Sequence, residues 1–488
     1  MRPDPAPAPV KQPPGLPARP AGAVNDSTAS APPLPLPRSS RSWRRWAWLA
    51  LVGAAYALLI GIALARAHYR SRLFASDGFG YYIYLPSLFI DGDLDLWNQL
   101  VLHPGQRVHD FYDVVPETGI SGNGFQFGCA LLWAPFFLLT HLALSLLGAL
   151  GVDVPRDGFG LAYELPVYCG GFAYGLLGLW YMRRLLDDLW GQAVANTATA
   201  YTALATALAA YLWFEPDLSH LTSMTLITMY FYYLHCAYRT DDLRVVSWVR
   251  IGLLLGLIAA VRVPDALVGV VAVGVGMSVL GDAPLGGPGR RLAVFLKCTL
   301  TCGAAAWLAF LPQMLVWKVL FDHYLLIPNN SNYDRTEWLH PDIVNYFFFS
   351  GRGLFVWTPL AIAAVLGLLL AGRRGPAIVR YALLVFALAV YFNSSIFHWW
   401  VGCSFCDRRL VDFAVVLALG LGYLLSLRPQ WVFRWQLHAV GAALIAFNWL
   451  LMLRYFARQL PESGPLDWGD LYLNTLRFPV QMLQRFLH

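Results

Sequence analysis

Charge is scarce in this chain. Only 13% of its 488 residues are Asp, Glu, Lys or Arg, against 58% hydrophobic. A soluble fold of this length could not hide so much apolar surface behind so few charges. Cysteine is sparse as well: seven residues with no paired metal-ligand pattern. Cys403-x-x-Cys406 has no second such pair to complete a zinc site, and no βαβ context for redox chemistry. A disulfide between the two is an open alternative if they face an oxidising compartment. No glycine-rich loop of the nucleotide type occurs, which argues against direct ATP-driven transport. No cleavable leader is legible either. The basic residues Arg41 to Arg45 precede an apolar run of about 20 residues, long enough to stay as an anchor. The two halves show no internal repeat.

What is present is a succession of apolar runs, many of them near the roughly 20 residues that span a hydrocarbon core. Mean hydropathy is +0.51. The net charge of +6 sits largely in short loops between these runs. There it reads as a topology signal rather than a nucleic-acid footprint. The expected fold is all-α: a polytopic membrane bundle of about eleven transmembrane helices. Residues 1–40, rich in Pro, Ala and Ser, read as a disordered cytoplasmic tail. Residues 41–455 form the membrane domain, and 456–488 an outer C-terminal segment.

Placing Arg44-Arg45, Arg183-Arg184, Arg239/Arg244/Arg250, Arg290-Arg291, Arg373-Arg374 and Arg428/Arg434 inside gives a map. Crossings fall near 46–66, 161–182, 192–213, 218–238, 248–262, 264–280, 292–318, 353–372, 380–398, 409–427 and 435–453. The run 126–150 is long enough to cross, but a crossing there would reverse every later loop, so it is expected to be interfacial or re-entrant. Around Arg262-Val263-Pro264-Asp265, two short helices meeting at the outer surface fit the charges better than one kinked helix.

On this map the unusual residues collect outside. The first outer loop opens with Asp77 and an aromatic cluster containing Tyr81, Tyr82 and Tyr84, and continues through Asp91, Asp93, Asp95, His103, His109, Asp110 and Asp113. Later outer segments carry Glu215, Asp217 and His220, then Lys318, His323, Tyr333, Arg335, Glu337 and His340, and Arg352. The last runs from His398 to Arg409. A carboxylate among these can act as general base on a hydroxyl. Arginines can hold a phosphate bidentately as it leaves. Tyr and Trp can stack on a sugar or line a lipid groove.

Each candidate has a plainer reading. Ser76-Asp77 can cap a helix. Asp91, Asp93 and Asp95 resemble a D-x-D-x-D metal loop but fit an exposed polar turn better. Glu215 can end a helix at the interface, with Pro216 opening the next. His220 can be an ordinary hydrogen-bonded histidine. Arg262 can pair with Asp265, and Arg408 or Arg409 with Asp407 or Asp412. Arg352 can be an interfacial anchor, although its Gly-Arg-Gly setting permits close backbone approach to a ligand.

Three segments carry a family resemblance. Asp77–Pro86 matches D-x-x-G-Y-Y-x-Y-L-P, Ser350–Pro359 matches S-x-x-G-L-F-x-W-T-P, and Trp400–Arg409 matches W-x-G-x-S-F-G-x-R-R with Cys406 in place of the usual Gly. In this order they resemble the GT-C superfamily of membrane glycosyltransferases, over about residues 44–425. The resemblance lies with bacterial relatives of the protein O-mannosyltransferases and aminoarabinose transferases. It implies a first outer loop of juxtamembrane helices and an inverting transferase using a polyprenyl-phosphate sugar at the outer face of the cytoplasmic membrane. Asp77 would be the catalytic base, with Glu215 as a second acidic catalytic residue. Tyr81, Tyr82, His220, Arg262, Arg352, Arg408 and Arg409 would bind substrate. No cofactor, metal or nucleic acid is called for, and the acceptor is a glycan, lipid or protein. A transporter or flippase of lipid-linked sugars, and a lipid-linked glycan polymerase or ligase, are the alternatives.

Overall fold

The structure, a computed structural model, describes residues 40–70, 73–74, 76–102, 113–282, 287–326, 335–372, 374–397, 399–400, 404–461 and 464–487. It divides into two compact units, Met1–Ala54 and Ala55–His488. The described part of the first is the opening of helix α1 (Ser40–Arg70). The second is a helical bundle. Among the described residues it contains no strand beyond two isolated antiparallel bridges, Val114 with Ser121 and Thr336 with Ile396.

After α1 the chain makes a short helix α2 (Asp77–Tyr82) and, further on, α3 (Gly128–Ala149). Then come α4 (Leu161–Trp190), α5 (Gln192–Leu204), α6 (Leu208–Trp213), α7 (Ser219–Arg239), α8 (Val245–Val261) and α9 (Gly269–Asp282). The series continues with α10 (Pro288–Phe321), α11 (Leu360–Ala371), α12 (Ala377–Ser394), α13 (Ala414–Ser426), α14 (Trp435–Phe456) and α15 (Thr475–Leu487). Four of these, α3, α10, α12 and α14, are long and apolar enough to cross a membrane, and several shorter apolar helices accompany them. Length and composition alone therefore do not establish the expected eleven crossings.

Small residues set the packing, as in bundles where helices gain little from hydrophobic burial against one another. A Cβ on Gly252 or Gly256 of α8 would lie 2.2 or 2.1 Å from the carbonyl oxygens of Cys302 or Ala306 on α10. Gly367 of α11 and Gly420 of α13 meet in the same way. The order of these contacts also gives direction. Gly171 lies against Pro216 and Gly178 against Thr225, so α4 and α7 run the same way. Gly276 faces Trp248, so α9 returns antiparallel to α8. Arg262 is extended (φ −152°, ψ 107°), and a 3-10 turn at Val263–Val268 follows it. The Arg262–Asp265 interruption thus separates two helices instead of kinking one.

Several helix ends meet at one end of the bundle. Glu164 Oε2, near the start of α4, accepts from the Leu73 amide just beyond α1 at 2.7 Å. Phe456, at the end of α14, stacks on Phe214 at 4.4 Å. Within the 126–150 segment, α3 is one continuous helix with Pro135 inside it. It runs antiparallel to α4: Leu132, Phe136 and His141 meet Tyr174, Gly170 and Tyr163 in that order. The Phe127 amide donates to Gln313 Oε1 at 2.6 Å, Gly128 lies against the Ala260 carbonyl, and His141 Nδ1 sits 2.8 Å from the Tyr163 hydroxyl near the start of α4.

Candidate active site

Asp77 is the first residue of α2, and the helix-cap reading fails there. The capping position is Ser76, held at φ +53° and ψ −126°, and no side chain closes the cap. A serine with positive φ is strained backbone of the kind that collects at functional sites. The Asp77 carboxylate goes elsewhere: its Oδ2 accepts from Arg408 Nη1 at 2.7 Å. The two side chains are 23% and 24% exposed, so the pair is reachable from solvent yet partly enclosed.

The aromatic stretch after Asp77 is mostly framework. Tyr82 is buried, its hydroxyl donating to the Gly158 carbonyl at 2.6 Å and its ring set among Phe74, Phe137 and Phe159. Tyr84 donates to the Phe125 carbonyl at 2.8 Å. Tyr81 is also buried, but its hydroxyl accepts from Ser219 Oγ at 3.1 Å and so belongs to the polar network described below. The glycines of the motif make room for neighbours. A Cβ on Gly78 would lie 2.7 Å from Asp217 Oδ2, and one on Gly80 would lie 2.1 Å from the Phe125 ring. Gly80→Ala is therefore expected to cost about 1–3 kcal/mol by overpacking, read as a lowered unfolding temperature in detergent. Wild-type stability would show that Phe125 moves aside freely.

Asp217 is joined to Arg66 near the end of α1, Nη1 to Oδ1 at 3.3 Å, and Arg66 also donates to the Tyr168 hydroxyl at 3.3 Å. Glu215, two residues earlier, interacts electrostatically with Arg66 and with Tyr211, and Tyr211 also interacts with Arg408. Glu215 stands two residues before Asp217, whose carboxylate lies beside Gly78, the residue after Asp77. The sequence does not single out Arg66, and it places Asp217 in an outer segment without assigning it a role. Each looks like a flank charge of an apolar run; the usable signal is that such a charge must find a partner.

Beneath lies a buried charged network. Arg262 places Nε 2.9 Å from Asp412 Oδ2 and 3.5 Å from Asp265 Oδ2, and its Nη1 donates to Ser219 Oγ at 3.2 Å. The contact with Asp412 is close in distance but off the line of the N–H, a meeting of charges rather than an aligned hydrogen bond. Asp412 Oδ1 lies 2.8 Å from His220 Nδ1, and Ser223 Oγ bonds Asp265. Arg262 and His220 are accordingly tied to Asp412, and Arg262 has Asp265 as its second carboxylate.

The remaining arginines separate. The Arg409 guanidinium turns toward the Trp399 carbonyl at 3.5 Å, and its amide donates to Asp407 Oδ1 at 3.2 Å. Asp407 also bonds the Tyr346 hydroxyl, and burial raises its pKa. Arg352 is buried, its guanidinium over the rings of Trp357 and Tyr455 at 5.8 and 5.6 Å. The three aspartates of the D-x-D-x-D stretch serve their own turn: Asp91 accepts from Asn98, Asp93 from the Asp95 amide, and Asp95 from the Trp97 amide. Among the described residues no group of three or more His, Cys, Asp or Glu is placed to hold a metal ion. His103, His109, Asp110, Tyr333, His398 and Cys403 lie outside the described residues, and with Cys403 the Cys403–Cys406 disulfide alternative.

No protein-family model matches the chain, and no curated protein matches it in sequence. Solved structures similar to it include the Archaeoglobus fulgidus oligosaccharyltransferase AglB in complex with an inhibitory peptide and a dolichol-phosphate, at 12% identity and a TM-score of 0.42. Another is the apo form of an oligosaccharyltransferase from that organism, at 13% identity and a TM-score of 0.43. In each comparison 90% of this chain is covered, and it spans 55% of the other chain.

Proposed function

We propose that this chain is a membrane glycosyltransferase that moves a sugar from a polyprenyl-phosphate donor to an acceptor hydroxyl at the outer face of the cytoplasmic membrane. The observation that carries the reading is the Asp77–Arg408 pair. It sets a partly exposed carboxylate and a guanidinium side by side, next to the acidic turn of Glu215 and Asp217. In the proposed step Asp77 takes the proton of the acceptor hydroxyl as the acceptor oxygen bonds the anomeric carbon. The bond from that carbon to the phosphate oxygen breaks, and the polyprenyl phosphate leaves with the electron pair. Arg408 keeps nitrogens beyond the one on Asp77 and would meet the developing phosphate charge.

The proposed topology has α1, α4, α5 with α6, and α7 through α14 crossing in alternate directions. The end carrying Asp77 faces outward. In this arrangement α3 does not cross but stays interfacial or re-entrant, which keeps the later basic loops on the inner side.

A transporter or flippase of lipid-linked sugars is the second reading. The buried Arg262–Asp412–His220–Asp265 network favours it, since charges inside a membrane bundle often mark a transport path. A lipid-linked glycan polymerase or ligase would share the donor chemistry of the first reading. Lipid and glycan mass spectrometry of cells with and without the gene tests the proposal. Loss of one sugar from a glycan, with accumulation of its polyprenyl-phosphate form, is expected. An unchanged glycan and lipid profile would contradict it.

A further inference from the structure

The C-terminal helix α15 has three faces where a helix packed only on its own protein would have two. At about 100° per residue, the buried Thr475 and Phe478 fall within an arc of about 60°. Leu476, Val480 and Leu483, exposed at 61%, 58% and 60%, fill a second arc of similar width. Arg477, Gln481 and Gln484, all exposed, fill a third. The apolar and polar exposed arcs are centred about 100° apart. One side of the helix meets protein, a second offers apolar side chains, and a third offers polar ones.

Its entry is fixed to the end of α14. Arg454, itself 4% exposed, donates through Nη1 to the Asp470 carbonyl and Thr475 Oγ1, both at 2.8 Å, and through Nη2 to Asp470 Oδ1 at 2.9 Å. Because α14 is one of the four helices long and apolar enough to cross, α15 begins where that helix leaves the apolar layer. Trp468, 52% exposed, stacks on Tyr472 at 6.0 Å just ahead of α15. Such rings gather where a bilayer meets water.

We infer that α15 is an interfacial anchor. It lies in the bilayer surface at the Asp77 end of the bundle, with Leu476, Val480 and Leu483 toward the acyl chains and Arg477, Gln481 and Gln484 toward the headgroups and water. A helix with a strong apolar face and little net hydrophobicity rests in that layer and does not span it. The chain leading into it braces the loop of Arg352: the Leu466 amide donates to Ser350 Oγ at 3.0 Å, and the Gly464 carbonyl fills the space beside Gly351. The anchor thereby fixes the depth of that loop against the membrane surface. This inference rests on the membrane reading of α14 and is independent of any chemistry at Asp77.

Nitroxide labels placed singly at positions 476, 477, 480, 481, 483 and 484 of the full chain in phospholipid vesicles test it, because replacement at exposed sites leaves the packed face intact. Labels at 476, 480 and 483 are expected to relax readily with oxygen and weakly with a water-soluble nickel chelate; labels at 477, 481 and 484 should do the reverse. Nickel access at all six would put the helix in water and overturn the inference. Shielding of 476, 480 and 483 from both reagents would mean that protein covers that face, and would overturn it too. Brominated phospholipids should independently quench Val480→Trp fluorescence, and no quenching would count against the anchor.

Discussion

Asp77→Asn is expected to lower sugar transfer at least about a hundredfold, with abundance, thermal stability and donor binding retained. Asn has nearly the same shape and keeps an oxygen that can accept from Arg408, so the 2.7 Å contact has a neutral substitute. What it loses is the ability to take a proton at neutral pH, and removal of a general base typically costs roughly 10²–10⁴ in rate. Asn caps helices about as well as Asp, and α2 has no side-chain cap to lose, so a structural role would leave activity nearly unchanged. The measurement is transfer from a labelled polyprenyl-phosphate sugar by purified protein, with donor binding followed separately. A near wild-type rate would reduce Asp77 to a structural partner of Arg408 and make Glu215 the leading acid.

The second large effect concerns stability. Arg262→Ala is expected to destabilise the bundle by about 3–5 kcal/mol. Asp265 is 3% exposed and Asp412 fully buried, and both face Arg262. Breaking a buried ion pair costs more than the pair contributes, because the abandoned charge stays in a low-dielectric site. Here one deletion abandons two carboxylates. Asp412 also lies between the turn that carries Arg408 and the start of α13, so its displacement would reach the Asp77 pair. Combining Arg262→Met with Asp265→Asn and Asp412→Asn should recover most of the loss, since no unmatched charge then remains. Thermal unfolding in detergent reads both variants. A mild effect of Arg262→Ala, or no recovery in the triple variant, would show that the network is not held together by this charge balance.

Part of this arrangement is legible in the sequence. Asp77 stands out as an acid placed directly after an apolar helix, and the Arg262–Asp265 interruption reads as a boundary between two helices. The all-helical character follows from run length and from the scarcity of charge. The pairing is harder to read. Asp77 and Arg408 lie 331 positions apart, and nothing local distinguishes Arg408 from Arg409. Asp412 looks like a partner for those arginines, four and three residues away, but the start of α13 directs it to Arg262 and His220 instead. Tyr82 reads as a possible substrate contact because aromatics suit sugars, yet the same ring fills a core site against Phe74 and Phe137. For α3, length and hydropathy describe a crossing, and only its contacts reveal that it packs antiparallel along α4.

The most direct test of the central claim is the leaflet in which donor accumulates when Asp77→Asn replaces the wild-type chain in cells. If the protein transfers sugar at the outer face, the polyprenyl-phosphate sugar has already reached that face when the reaction stalls. It should then be open to an impermeant oxidant or hydrolase added from outside, while the glycan lacks its sugar. Accumulation confined to the cytoplasmic leaflet, shielded until the membrane is opened, would contradict transfer and identify the protein as the step that moves the lipid-linked sugar across.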